Sequence, residues 1–162
     1  MVKKEYDFLS WTSFPSSGKI INDREIGWER WEPEIIGLPV TPNSKLTLTI
    51  NVKQIDTSTI QRSHIGINRL IDGIEGPRIG SALDFPPGRF DWRSFTHMVI
   101  IPSEVNVVKV IIAAGPKGTT WFDDLKIYQD DVLIYSNDFS NWAPIIIPTE
   151  IITGVVAIKF IK

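Results

Sequence analysis

The chain has 162 residues, a formal net charge of −2 at pH 7 and a pI near 5.7, with 43% hydrophobic and 22% charged residues. This length favours a single domain with its own core, and scattered lysines and arginines disfavour a nucleic-acid-binding surface. The absence of cysteine excludes disulfides, thiolate nucleophiles and cysteine-ligated zinc.

Residues 1–34 are rich in aromatic side chains and irregular in pattern. We expect a first strand at residues 6–9 and a turn at residues 15–18. The start of the chain combines two lysines with acidic residues and lacks the apolar region of a secretory signal peptide. The sequence therefore does not assign a localisation, and we expect an extracellular or virion-associated protein.

Two strands are predicted in the middle of the chain. Residues 45–53 alternate between polar and apolar side chains, which is typical of a half-buried antiparallel strand, and residues 64–70 form the next strand. Residues 71–88 follow, with Asp72-Gly73 and Pro86-Pro87-Gly88 among their turn-forming residues. This stretch predicts an extended loop, and long ordered loops often carry function.

The second half of the chain also reads as strands. Residues 90–101 and 105–114 are both predicted to be strands, joined by a turn at Pro102. We expect residues 105–114 to form a hairpin with residues 119–128 across the turn at 115–118. A tight turn at residues 130–131 and a short strand at residues 132–135 come next. No segment has helical periodicity, so the pattern favours an all-β antiparallel sandwich.

Three stretches carry a resemblance to a known family. Thr-Thr-Trp-Phe-Asp-Asp-Leu-Lys-Ile at residues 119–127 resembles the last hairpin of galactose-binding-like jelly rolls. Phe-Asp-Trp-Arg-Ser-Phe-Thr at 90–96 and Ile-Pro-Ser-Glu-Val at 101–105 resemble the aspartate-tryptophan strand and the Val-Pro turn of that family. The resemblance covers about residues 43–131. It implies an antiparallel jelly-roll β-sandwich like those of non-catalytic carbohydrate-binding modules and accessory domains of glycoside hydrolases.

Candidate binding residues follow from the chemistry of sugars. Sugar rings present C–H faces that stack on indoles, and the chain has six tryptophans. Those of the irregular N-terminal region are the better exposed candidates, whereas Trp92 and Trp121 are expected to pack. Arginine and asparagine supply the directional donors that polyols require, although such side chains are also common on solvated strand faces. The predicted ligand-binding residues are Trp11, Trp28, Trp31, His64, Asn68, Arg69 and Arg78.

The acidic pair Asp123-Asp124 does not predict catalysis. Glycosidases need two carboxylates about 5–10 Å apart across a cleft, whereas adjacent residues on a strand point to opposite faces. In the resembling modules, the aspartate that matches Asp123 helps to bind a structural calcium ion with backbone carbonyls. The resemblance therefore implies a possible Ca²⁺ ligand at Asp123, with a sheet-edge or loop-capping role as the alternative. His64 and His97 lack metal-ligand spacing, so we predict no zinc site. No Gly-x-Ser-x-Gly motif supports a serine nucleophile with either histidine, so we predict no enzyme activity.

The C-terminal segment, residues 143–162, is almost wholly apolar. We predict a jelly-roll domain at residues 1–142 and an apolar arm or terminal strands at 143–162. Pro148, Glu150 and Lys159 disfavour a transmembrane span, and strands at 145–147 and 151–160 are favoured. Such strands need cover on both faces, from this chain or from another subunit.

Two functions are compatible with these patterns. The first is a non-catalytic carbohydrate-binding module. The second is a structural or assembly protein, such as a virion or cell-surface component, that uses the jelly roll as a scaffold and residues 143–162 for docking in a homo-oligomer.

Overall fold

The computed structural model describes residues 2–7, 17–31, 37–139 and 145–146. Thirteen strands and no helix occur in these residues. The strands are β1 (Val2–Asp7), β2 (Ser17–Asn22), β3 (Glu29–Trp31), β4 (Leu38–Pro39), β5 (Lys45–Thr57), β6 (His64–Ile71), β7 (Ile74–Arg78), β8 (Leu83–Asp84), β9 (Gly88–Ile100), β10 (Val107–Ala114), β11 (Gly118–Gln129), β12 (Val132–Asn137) and β13 (Ile145–Ile146).

The strands form two antiparallel sheets. In the seven-stranded sheet, here called sheet A, β11 pairs with β5 along one edge and with β2 and then β12 along the other. Strand β9 continues sheet A beyond β5, while β1 and β13 extend it beyond β2 and β12. In the six-stranded sheet, here called sheet B, β10 and β6 are central, with β3 and β4 beside β10 and with β7 and β8 beside β6.

The core lies between the sheets because every second side chain along the central strands is apolar and points inward. On β5 the inward residues are Leu46, Leu48, Ile50 and Val52, all buried. On β10 they are Val108, Val110, Ile112 and Ala114. Strand side chains point to opposite faces in turn, so the same alternation sends the intervening residues outward. The predicted all-β, antiparallel jelly-roll β-sandwich is confirmed.

The predicted hairpin of residues 105–114 and 119–128 is wrong. Strand β10 belongs to sheet B and β11 to sheet A, so the turn at Gly115 crosses from one layer to the other. The error has a physical origin: β10 is buried on both faces at Ile111 and Ile112, and a continuously apolar strand does not indicate which neighbour it pairs with.

The extended loop predicted at residues 71–88 also needs correction. It contains β7 and β8, which pair with β6. Asp72 and Gly73 have φ values of 49° and 78°, and positive φ at both central residues is the geometry of a two-residue hairpin turn. An Asp-Gly pair between apolar residues is therefore a hairpin signal here, and it places β7 on the edge of sheet B.

The predicted first strand at residues 6–9 overlaps β1 at residues 6–7, and β2 begins at Ser17, inside the predicted turn at 15–18. Residues 8–16 and most of the C-terminal segment lie outside the described residues. Strand β13 begins the apolar segment and pairs with β12, at Ile146 with Tyr135 and at Ile145 with Ser136. The predicted strand at 151–160 is not among the described residues, and the division at residue 142 stays a prediction. Within the described part of the chain, no helix is long and apolar enough to cross a membrane.

Gly115 is required where the chain crosses between the layers. Its N–H donates to Ser63 Oγ at 2.9 Å, and a Cβ at this position would overlap the backbone carbonyl oxygen of Gln61. Rotation of a side chain cannot relieve contact with backbone. We expect Gly115→Ala to lower the free energy of unfolding in urea by about 3 kcal/mol or more.

Gly27→Ala is the control for backbone strain alone, because φ is 97° there and an added Cβ meets nothing within 4 Å. We expect it to cost about 1–2 kcal/mol. Equal losses in the two variants would contradict a steric requirement at Gly115.

Candidate functional site

The outer face of sheet B, on the side away from the core, gathers most of the polar candidates. On β6, Ile65 and Ile67 face the core, so the residues that alternate with them face outward. The two central strands run in register, His64 opposite Ala113, Gly66 opposite Ile111 and Asn68 opposite Lys109. The outer face therefore has polar side chains at both ends of a small apolar floor made by Gly66, Ile111 and Ala113.

The carboxylate of Glu75 on β7 contacts a side chain on each of the other three strands that cross this face, β6, β10 and β3. Asn68 Nδ2 on β6 donates to Glu75 Oε1 at 2.7 Å, and Lys109 Nζ on β10 donates to Oε2 at 3.3 Å. Arg30 Nη1 on β3 lies 3.0 Å from Oε1 and 3.2 Å from Oε2. Strands β3 and β7 are the two edges of the sheet here, so the ion pair of Arg30 and Glu75 reaches across β10 and β6.

The pKa of Glu75 follows from these contacts. Partial burial alone would raise the pKa, but hydrogen bonds from Lys109 and Asn68 and the charges of Arg30 and Lys109 outweigh it. The pKa of Glu75 is therefore held below its ordinary value of 4.5. At neutral pH this carboxylate is ionised and its oxygens are occupied as acceptors.

The hydrogen bond between Asn68 and Glu75 also orients Asn68 toward Arg78. Because the amide nitrogen of Asn68 donates to Glu75, its Oδ1 is directed toward Arg78, whose Nε lies 3.5 Å away. Arg78 Nη2 lies 3.5 Å from His64 Nε2. Both distances are at the outer limit of a hydrogen bond, so the guanidinium is guided by its neighbours and still able to adjust.

Gly66 makes room for the guanidinium of Arg78. A Cβ at Gly66 would lie 3.0 Å from Arg78 Nε and 3.1 Å from its Cζ. The guanidinium thus rests over the backbone of β6, at the centre of the face. Beside it the side chain of Ile111 is only 1% exposed, although it lies outside the core cluster.

The contacts of His64 determine its tautomer. Its Nε2 faces a donor, Arg78 Nη2, while its Nδ1 lies 3.3 Å from the carbonyl oxygen of Arg62. A neutral imidazole that donates from Nδ1 and accepts at Nε2 satisfies both neighbours. Burial is the largest effect and lowers the pKa of His64. The hydrogen bond with the Arg62 carbonyl and the charge of Asp84 raise it, the charges of Arg78 and Arg30 lower it, and the net pKa is below 6.5.

Trp28 completes the polar chain at the exposed end of the face. Its Nε1–H donates to the same Arg62 carbonyl oxygen at 2.9 Å, and its ring meets the His64 ring edge-on at a centroid distance of 5.6 Å. The side chain is held from two sides, yet Trp28 is 47% exposed. A large aromatic surface that is both fixed and exposed suits ligand stacking.

Four of the seven predicted ligand-binding residues thus meet on one face, namely Trp28, His64, Asn68 and Arg78. Trp31 instead packs toward the core, with its ring 5.9 Å from that of Phe139, because it alternates with Arg30 on β3. Arg69 leaves the opposite side of β6 and pairs with Glu104 at 3.4 Å. Trp11 lies outside the described residues.

The sequence reasoning missed Arg30, Glu75 and Lys109. Lys109 was detectable, since it is the one charged residue of an otherwise apolar strand and lies between the core-facing Val108 and Val110. Arg30 and Glu75 are 45 positions apart in the chain. No local pattern links residues at that separation, so only the sheet topology reveals their contact.

Asp123 lies on sheet A, away from this face. It is fully buried, and its Oδ1 accepts the backbone N–H of Asp124 at 2.7 Å. Among the described residues no group of three or more His, Asp or Glu side chains is placed to hold a metal ion. Calcium also takes backbone carbonyl oxygens, and Ca²⁺ at Asp123 stays a prediction.

Comparisons with known proteins show which solved structures share this architecture. No protein-family model matches the chain, and no curated protein sequence matches it significantly. Solved structures do match. A family 16 carbohydrate-binding module superposes with a TM-score of 0.54 at 12% identity, over 77% of this chain and 84% of the module.

Two further structures are similar. The CBM22-1 xylan-binding domain of Paenibacillus barcinonensis Xyn10C has a TM-score of 0.51 at 12% identity, over 81% of this chain and 83% of that domain. An arabinose-bound GH51 α-L-arabinofuranosidase has a TM-score of 0.59 at 12% identity, over 82% of this chain but 23% of the enzyme. The likeness establishes that this chain has the jelly-roll β-sandwich fold found in carbohydrate-binding modules.

The two histidines provide a test of this geometry. Burial lowers the pKa of His97 on β9, with Arg78 adding to the effect and a backbone hydrogen bond at Ser81 opposing it. We expect both histidines of the chain to titrate below 6.5 in the folded protein, measured by proton NMR, and near 6.5 in denaturant.

The sign for stability follows from linkage. Below pH 6.5 the unfolded chain binds more protons than the folded one, so stability is complete above 6.5 and declines as pH falls toward the lower folded pKa values. His64→Gln should remove its share of that decline and identify its resonance. A folded-state midpoint at or above 6.5 for His64 would contradict a buried neutral imidazole.

Proposed function

We propose that this protein is a non-catalytic carbohydrate-binding module and that the outer face of sheet B is its binding surface. The observation that carries the proposal is the fixed and exposed ring of Trp28 at the end of a continuous polar chain. The fold supports it, because structures with this fold include carbohydrate-binding modules.

The chemistry of the face suits a sugar. A pyranose ring offers an apolar C–H face and a rim of hydroxyl groups that both donate and accept. Trp28 supplies a plane for the apolar face and Arg78 supplies directional donors, while the buried Asn68 and His64 orient the guanidinium of Arg78. The guanidinium of Arg78 covers Gly66 and the side chain of Ala113 is buried, so Trp28 and Arg78 are the exposed groups that a sugar ring would contact here.

The state of Glu75 supports a binding role without catalysis. A glycosidase acid must be protonated before it donates, whereas the pKa of Glu75 is lowered and its oxygens accept from Asn68, Lys109 and Arg30. Glu75 is therefore suited to hold neighbouring side chains in position.

The alternative of an assembly protein depended on residues 143–162 as a docking arm. Of that segment the described part is β13, which pairs with β12 of the same chain. The assembly role and the oligomer stay predictions, and the described residues supply no further argument for them.

Replacement of Trp28 tests the proposal. We expect the protein to bind a soluble polysaccharide in affinity gels and to show a change in tryptophan fluorescence. Trp28→Ala should weaken that binding at least tenfold, equal to about 1.4 kcal/mol, because it removes the stacking plane.

Trp92→Ala is the matched control, since Trp92 is a half-buried tryptophan on β9 in the other sheet. It should leave the affinity unchanged. The proposal is wrong if a broad glycan panel gives no binding, or if the two variants lose affinity equally.

A further inference from the structure

The cations of the binding face differ in how their charges are balanced. Arg30 and Lys109 both pair with Glu75, at 3.0 Å and 3.3 Å. Within the described part of the chain the partners of Arg78 are neutral, namely Asn68 Oδ1 and His64 Nε2, and it forms no ion pair with a carboxylate there. Asp84 lies opposite His64 on β8, and it does not pair with Arg78 either.

The neutral partners orient Arg78 without cancelling its charge. Asn68 is turned toward it by Glu75, and the lowered pKa of His64 keeps that imidazole an uncharged acceptor. The two contacts use Nε and Nη2, so among the described residues Nη1 has no partner. A guanidinium with free N–H groups at the centre of a binding face matches the planar fork of a carboxylate.

We propose that the ligand is an acidic sugar and that Arg78 binds the carboxylate of a uronic acid residue. This inference rests on the carbohydrate-binding function proposed above. A uronic acid keeps the ring that stacks on Trp28 and places a carboxylate at the edge of the ring, where a guanidinium can donate two parallel hydrogen bonds. Gly66 is part of the subsite, because its missing side chain leaves room for the guanidinium against the backbone of β6.

The first experiment compares each acidic polymer with a form whose carboxylates are blocked as methyl esters. Polygalacturonate, alginate and glucuronoxylan are each titrated by calorimetry at low ionic strength beside their methyl-esterified forms, with neutral xylan and galactan as references. We expect at least one acidic polymer to bind about tenfold more tightly than its ester.

The outcomes separate the two proposals. Equal or tighter binding of the ester, or binding of the neutral references alone, would overturn the acidic-ligand inference and leave carbohydrate binding standing. Absence of binding to every polymer would overturn both. Dextran sulfate is included because it carries another anion, and a preference for it over all uronates would contradict carboxylate recognition.

The second experiment assigns the preference to Arg78. Arg78→Gln should reduce the ratio of acid to ester affinity at least fivefold, and Arg78→Lys should recover only part of it because lysine lacks the fork. Gly66→Ala keeps every charge but places a Cβ 3.0 Å from Arg78 Nε, so it should also lower the ratio. Urea unfolding of each variant verifies that the fold is retained.

Arg93→Gln is the control for general electrostatics. Arg93 is an exposed arginine on β9 that lies over the Phe90 ring at 5.1 Å, on the other sheet. It should leave the ratio unchanged. If Arg93→Gln lowers the ratio as much as Arg78→Gln, the preference comes from net charge and the subsite at Arg78 is wrong.

Discussion

The contacts of the Glu75 carboxylate hold together the outer face of sheet B, the proposed binding surface. The carboxylate accepts hydrogen bonds from one side chain on each of three other strands, Arg30, Lys109 and Asn68. These contacts link the two edge strands of sheet B across its two central strands. A partly buried carboxylate requires such donors, and its lowered pKa records their combined effect. The amide of Asn68 in turn contacts Arg78, Arg78 contacts His64, and the ring of His64 contacts Trp28. The groups that would meet a ligand are thus set before it arrives.

The face exists because the sandwich divides each strand between two environments. The residues of β6 and β10 that alternate with the core positions must face outward. Register then places Gly66 beside Ile111 and Asn68 beside Lys109, which gives a small apolar floor with polar ends. A shift of one residue on β6 would send Ile65 and Ile67 outward and bury His64 and Asn68 in the core, so packing and site geometry are specified together.

The sequence predicted the individual strands, which depend on local patterns. It did not predict strand pairing or contacts between residues far apart in the chain. Alternation located β5 and β6, because a strand with one buried face carries its own pattern. The supposed hairpin of β10 and β11 was wrong because an apolar strand does not reveal its partner. Residue chemistry alone made candidates of Trp28, His64, Asn68 and Arg78, and their binding role stays a prediction, whereas Glu75 was assigned to a loop. Its role emerges only when the Asp72-Gly73 turn folds β7 against β6.

The most direct test of the account is an NMR titration of the nitrogen-labelled protein with an oligosaccharide that binds it. The account predicts shifts in the Trp28 indole N–H, the Asn68 amide and the Arg78 Nε–H, with little change at Trp121 between Lys19 and Lys53 on sheet A. Shifts that cluster on sheet A, and leave Trp28 and Arg78 unaffected, would contradict the assignment of the binding surface to sheet B.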